Sequence, residues 1–144
     1  PSTLFLHDLL ATPGPLSRRP PTPAELADIN LGVQAARELG RLDIGQCAVV
    51  RRQVVVALET IEGTDATIRR GGALAGPGAV VVKMSKPDQD LRFDVPAVGL
   101  DTITTMQEVK AAVLAIEAGK TLIFDRPEML KAADQTGIAV WGIS

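Results

Sequence analysis

The stretch TLIFDRPEMLKAADQTGIAVWGI, residues 121–143, decides the fold class. Residues 121–124 are a short β-branched and aromatic run and predict a strand. Asp125 then offers an N-cap, and Pro127 suits a first helical turn, so residues 127–136 predict a helix. Residues 138–143 return to strand character. A β-α-β ending of this kind predicts an α/β chain: a layered mixed sheet with flanking helices, in a single compact domain that follows a Pro-rich linker.

Working back from that ending, Thr105 and Glu108 have the spacing of a capping box. Val109, Ala112, Val113 and Ile116 recur on one helical face and Gly119 closes it, which predicts a helix there. Residues 79–84 form a continuous apolar strand whose end carries Lys83 and Lys86. A loop over 87–91 leads into a second extended run around Phe93 and Val95. Gly76-Pro77-Gly78 is a turn. Glu62-Gly63-Thr64-Asp65 opens a short helix through Ile68 to Arg70, with Gly71-Gly72 as its stop. Residues 46–59, rich in valine around Arg51, Arg52 and Gln53, predict two strands and a tight turn. Thr22, Pro23 and Glu25 start a helix whose apolar positions Leu26, Ile29, Val33 and Ala36 run to Gly40. Residues 1–21, with Pro13, Gly14, Pro15, Pro20 and Pro21, predict an extended connection.

Composition removes several classes of function. At 144 residues with 46% hydrophobic and 22% charged side chains, the chain can bury a core without disulfide or metal staples. It holds one histidine, His7, and one cysteine, Cys47, so neither a His/Cys metal cage nor an internal disulfide can be built. A Ser-His-Asp arrangement would have to use His7, which lies in an apolar stretch; Cys47 precedes Ala48 and two valines and reads as a core residue. A net charge of −2 and 3% aromatic residues exclude a general nucleic-acid binder. No apolar run reaches the ~20 residues of a membrane span. The chain reads as cytoplasmic, and without an initiator methionine it is expected to be a piece of something longer.

The groups left for chemistry are carboxylates, Lys, Arg, Ser, Thr and backbone amides, a set suited to divalent cations and phosphates. They are densest over residues 83–96. Lys83 and Lys86 could neutralise phosphate oxygens, Arg92 could bind two oxygens at once, and Asp90 or Asp94 could hold Mg2+ or orient water. A solvated, mixed-sign surface loop is the other reading of this stretch. The second set is Glu62, Gly63, Thr64 and Asp65, where a glycine and a helix start suit an anion; a plain turn and cap is its alternative.

Taken in order, Gly40-Arg41-Leu42-Asp43-Ile44-Gly45-Gln46, Glu62-Gly63-Thr64-Asp65, Lys86-Pro87 with Gln89, Arg92-Phe93-Asp94-Val95-Pro96 with Gly99, Glu117-Ala118-Gly119 and Asp125-Arg126 form a specific set. That set resembles the C-terminal domain of the LpxI-type UDP-2,3-diacylglucosamine pyrophosphatases. The resemblance implies a Mg2+-dependent hydrolase of lipid A biosynthesis. It would split UDP-2,3-diacylglucosamine into UMP and 2,3-diacylglucosamine 1-phosphate, lipid X, by attack of water on the α-phosphorus.

The resemblance places the catalytic aspartate at Asp94, which with Asp65 is expected to hold the metal. Lys83, Lys86, Gln89, Arg92, Glu62, Gly63 and Thr64 are the expected substrate-binding residues. Residues 1–21 become an interdomain stub and 22–144 the C-terminal catalytic domain, with the family's N-terminal Rossmann-like domain absent from this chain. A homodimer at the inner-membrane surface is also implied. A noncatalytic module that binds the nucleotide-sugar lipid, or a dimerisation module of a larger enzyme, is the competing reading.

Overall fold

In the computed structural model the described residues are 9–87 and 95–144. Among them, Pro23–Arg41 (α1) starts as its residues require: the Glu25 N–H donates to Thr22 Oγ1 at 3.1 Å and the Thr22 N–H to Glu25 Oε1 at 3.0 Å. Cys47–Arg51 (β2) and Val54–Leu58 (β3) make the expected hairpin. Its tip residues Arg52 and Gln53 both have positive φ, at 50° and 63°, as a two-residue hairpin turn demands. The buried carboxylate of Asp28 on α1 holds that tip, accepting from the Arg52 N–H at 3.1 Å and the Gln53 N–H at 2.8 Å.

The remaining elements are Thr64–Ala75 (α2), Val80–Lys83 (β4), Ala97–Val98 (β5), Leu100–Glu108 (α3), Val113–Glu117 (β6), Leu122–Ile123 (β7), Arg126–Thr136 (α4) and Ala139–Ile143 (β8). Gly14–Pro15 forms a two-residue edge strand, β1, antiparallel to β8. The main sheet runs β1-β8-β6-β4-β2-β3, with β4, β6 and β8 parallel and β2 antiparallel to β4; β5 and β7 make a separate parallel pair. The fold is therefore α/β, one domain around a mixed six-stranded sheet with helices on both faces.

Because successive strand residues point to opposite faces, the sheet divides two apolar layers by parity. Ala48, Val80, Val82, Val113, Ala115 and Ala139 face Ile29, Val33 and Ala36 of α1. Val49, Val81, Leu114 and Val140 face Ile68 of α2, Ile103 and Met106 of α3, and Met129 of α4. The first layer is thin: a Cβ on Gly32 of α1 would overlap the side chain of Val82.

Three expectations are corrected. The helix expected from Thr105 to Gly119 does not exist; α3 ends at Glu108 and residues 113–117 are the strand β6. Val113, Leu114, Ala115 and Ile116 are buried on both faces between β4 and β8, and a strand of that kind is a solid apolar run that also satisfies helical spacing. Thr105 sits inside α3, its hydroxyl donating to the Asp101 carbonyl at 3.0 Å, and caps nothing. Gly71-Gly72 do not stop α2, which runs on to Ala75. They are where the helix approaches its neighbours: a Cβ on Gly71 would lie 2.7 Å from Val49 Cβ, and one on Gly72 would overlap Val109.

The third correction concerns the short strands. Of the expected 121–124 strand, Leu122–Ile123 pairs with β5 in the small sheet, and Leu122 also bridges Leu10. The extended run expected around Phe93 and Val95 is paired at Ala97–Val98, and Phe93 lies outside the described residues, as does His7. Asp125 occupies the N-cap position of α4 with φ 50° and without a side-chain cap bond. The Pro-rich segment is extended and bonded along β8: the Leu16 N–H donates to the Val140 carbonyl at 2.8 Å, and Ser17 Oγ to the Ile138 carbonyl at 3.0 Å. Arg19 joins it to α1 through Glu25 at 2.7 Å.

Candidate active site

In α/β sheets ligands sit beyond the carboxyl ends of the parallel strands. Here β4 ends at Lys83 and β6 at Glu117. The antiparallel β2 starts at the same end, with Cys47 paired to Lys83. The Glu59 N–H donates to the Cys47 carbonyl at 2.9 Å, so the exit from β3 lies there too. One end of the sheet thus gathers the start of β2, the ends of β3, β4 and β6, and the start of α2.

The α2 side is built on Glu59. This carboxylate is only 7% exposed; Oε1 accepts from the Gln46 N–H at 2.7 Å and Oε2 from Thr64 Oγ1 at 3.1 Å. Gly63 caps α2 at φ 90° and ψ 165°, a region essentially restricted to glycine, and a Cβ there would point into open space. Asp65 is exposed in the first turn. Glu62 pairs with Arg70, which reaches it through Nε at 3.3 Å and through Nη2, while Thr67 Oγ1 donates to it at 3.1 Å. The Arg70 hydrogen bond holds the Glu62 carboxyl below its ordinary value.

Cys47, the first residue of β2, is fully buried at this end. Burial, and next the charge of Glu59, push its thiol up to about 12, with Lys83 acting in the opposite sense and Asp65 and Glu62 adding to the rise. The thiol itself stays neutral and serves as packing, as expected.

On the other side, Lys83 Nζ donates to the Ala97 carbonyl at 2.9 Å, bracing the chain that returns into β5. Ser85 is tied to Glu117 through both its hydroxyl and its N–H. Lys86 pairs with Asp43, in the turn after α1, at 2.9 Å. Lys83, Glu62, Gly63, Thr64 and Asp65 are thus brought to one end of the sheet, with Lys86 on its α1 side. Gln89, Arg92 and Asp94, with Asp90, lie outside the described residues; they occupy the connection in sequence between Pro87 and Val95.

Among the described residues, three or more His, Cys, Asp or Glu side chains do not gather anywhere as a metal-holding group. Mg2+ binds through one or two carboxylates and completes its shell with water and substrate phosphates. Asp65 is the described carboxylate that fits such a role. Sequence reasoning missed Glu59 and the Ser85 to Glu117 tie. The only signal for Glu59 was a lone carboxylate directly after an apolar strand; Glu117 stood in a motif without a role.

Among the described residues no helix is long and apolar enough to cross a membrane. Residues 12–141 match the family model described as the LpxI C-terminal domain. The chain is 41% identical over 138 residues to the UDP-2,3-diacylglucosamine pyrophosphatase LpxI of Caulobacter vibrioides; the match covers 90% of this chain and 49% of that protein. The chain spans about half the length of that relative. The resemblance drawn from ordered motifs and the comparison over nearly the whole chain agree: the chain belongs to the LpxI C-terminal domain family.

Proposed function

We propose that this chain carries the hydrolytic site of a UDP-2,3-diacylglucosamine diphosphatase, releasing UMP and lipid X in lipid A biosynthesis. The observation that supports this most is the convergence of Lys83 and the Gly63 to Asp65 helix start at the end of the sheet from which the Asp94 segment departs in sequence. The relative's activity, named for a protein twice as long, points the same way.

Hydrolysis of a phosphoanhydride needs charge stabilisation on phosphate oxygens and an oriented water more than it needs a strong nucleophile. Lys83 and Lys86 supply compact positive charge, and Arg92 two parallel donors, for the pyrophosphate oxygens. Gln89, Glu62, Gly63 and Thr64 bind the remainder of the substrate. Asp94 orients the attacking water and accepts its proton. Asp94 and Asp65 would hold Mg2+, which would supply Lewis-acid stabilisation of the pyrophosphate charge. A substrate with two acyl chains suits an enzyme that works in the cytoplasm, peripheral to the inner membrane, and the family resemblance adds a homodimer.

The test is UMP release from UDP-2,3-diacylglucosamine in detergent, with Mg2+ and then with EDTA. Release that stops in EDTA supports both the reaction and the ion. Release that persists in EDTA contradicts the ion, and no release contradicts a complete hydrolytic site within these residues.

A further inference from the structure

We infer that Glu59 is a positioning residue of this site, one that fixes the Thr64 hydroxyl as a hydrogen-bond acceptor toward a hydroxyl or N–H group of the ligand. The inference rests on the proposed reading of Thr64 as a ligand-contacting residue. Glu59 itself is anchored from two sides. Its N–H continues the β2 ladder to the Cys47 carbonyl at 2.9 Å, and Gly45 lies so close to its backbone that a Cβ there would overlap the Glu59 carbonyl oxygen.

With its backbone held and the residue 7% exposed, the carboxylate has little freedom to turn. Oε1 is occupied by the Gln46 N–H at 2.7 Å, and Oε2 receives Thr64 Oγ1 at 3.1 Å. An ionised carboxylate only accepts hydrogen bonds, whereas a hydroxyl carries one proton and two lone pairs. The Thr64 proton is therefore committed to Glu59. What half-buried Thr64 presents outward from the start of α2 is lone pairs. Such an oxygen does not donate to a phosphate; it receives a donor. In a nucleotide-sugar lipid the matching groups are sugar hydroxyls and amide or imide N–H.

Glu59→Gln separates this role from a structural one. The amide keeps the shape and can still accept from the Gln46 N–H through Oε1, which turns its NH2 toward Thr64 and reverses that hydrogen bond. Expected is a melting temperature within a few degrees of the wild type, with KM for UDP-2,3-diacylglucosamine raised up to about tenfold, the worth of one hydrogen bond, and kcat within about twofold. Thr64→Val raises KM to a similar extent, Thr64→Ser restores it, and Glu59→Gln adds nothing in the Thr64→Val background. An unchanged KM in folded Glu59→Gln, or additive effects in the double variant, overturns the inference. A wild-type chain that binds the substrate without hydrolysing it contradicts the catalytic reading alone, and the same variant pattern is then read from affinity by calorimetry. Absence of substrate binding overturns both.

Discussion

Ser85 and Glu117 are joined twice: the Ser85 hydroxyl donates to Glu117 Oε1 at 2.6 Å and the Ser85 N–H to the same oxygen at 3.0 Å. The chain leaving β4 is thereby tied to the last residue of β6 before it enters the segment that contains Asp94. Both groups are partly buried, so removal of the carboxylate leaves two donors without a partner. Glu117→Ala is expected to lower stability by about 1–3 kcal/mol, read from the urea midpoint, and to reduce UMP release by releasing the Lys83 to Lys86 strand end.

Gly63 holds a backbone conformation that an L side chain enters only under strain, while its missing Cβ faces open space. Space is therefore not the obstacle; the dihedral is. Gly63→Ala should cost about 1–3 kcal/mol in denaturant unfolding. The same change displaces Thr64 from Glu59, and substrate affinity should fall with it.

Cys47 should be chemically silent in the native state. A thiol pushed to about 12 by burial and by Glu59 holds almost no thiolate at neutral pH, and its side chain is shielded. Alkylation by iodoacetamide at pH 8 should require unfolding, and rapid native labelling would contradict the burial. The native value lies above the unfolded one. As pH rises past about 9 the unfolded chain gives up this proton and the folded chain retains it, so stability falls on the alkaline side.

Glu62 titrates in the opposite sense. The Arg70 hydrogen bond lowers its carboxyl below the usual 4.5, so the pair favours the fold above that value and its contribution is lost as pH falls through the lowered one. The stability difference between wild type and Arg70→Ala should therefore be constant from pH 7 to pH 5 and shrink below pH 4. A difference that grows toward acid would contradict the pairing.

Local signals carried the fold where a single element decides its own limits. Thr22 with Glu25, and the valine-rich hairpin around Arg52 and Gln53, are written in neighbouring residues, and both formed as read. Residues 113–117 are different, because their partners β4 and β8 are distant in sequence; an apolar run without those partners reads equally well as helix. Gly71 and Gly72 failed as stop signals for the same kind of reason, since Val49 and Val109 require small residues there. In the candidate site, the helix start at Thr64 and the strand end at Lys83 were legible from their motifs. Glu59 was not, because only the fold brings Gln46 and Thr64 to one carboxylate.

The central claim is that Asp94 performs hydrolysis in this chain. UMP release from UDP-2,3-diacylglucosamine by the wild type and by Asp94→Ala, at matched folded concentration with Mg2+ present, tests it most directly. Expected is a loss of about a hundredfold to ten-thousandfold in the variant, the range of a lost proton-accepting group, with the melting temperature and substrate affinity retained. Release at the wild-type rate by folded Asp94→Ala would contradict it.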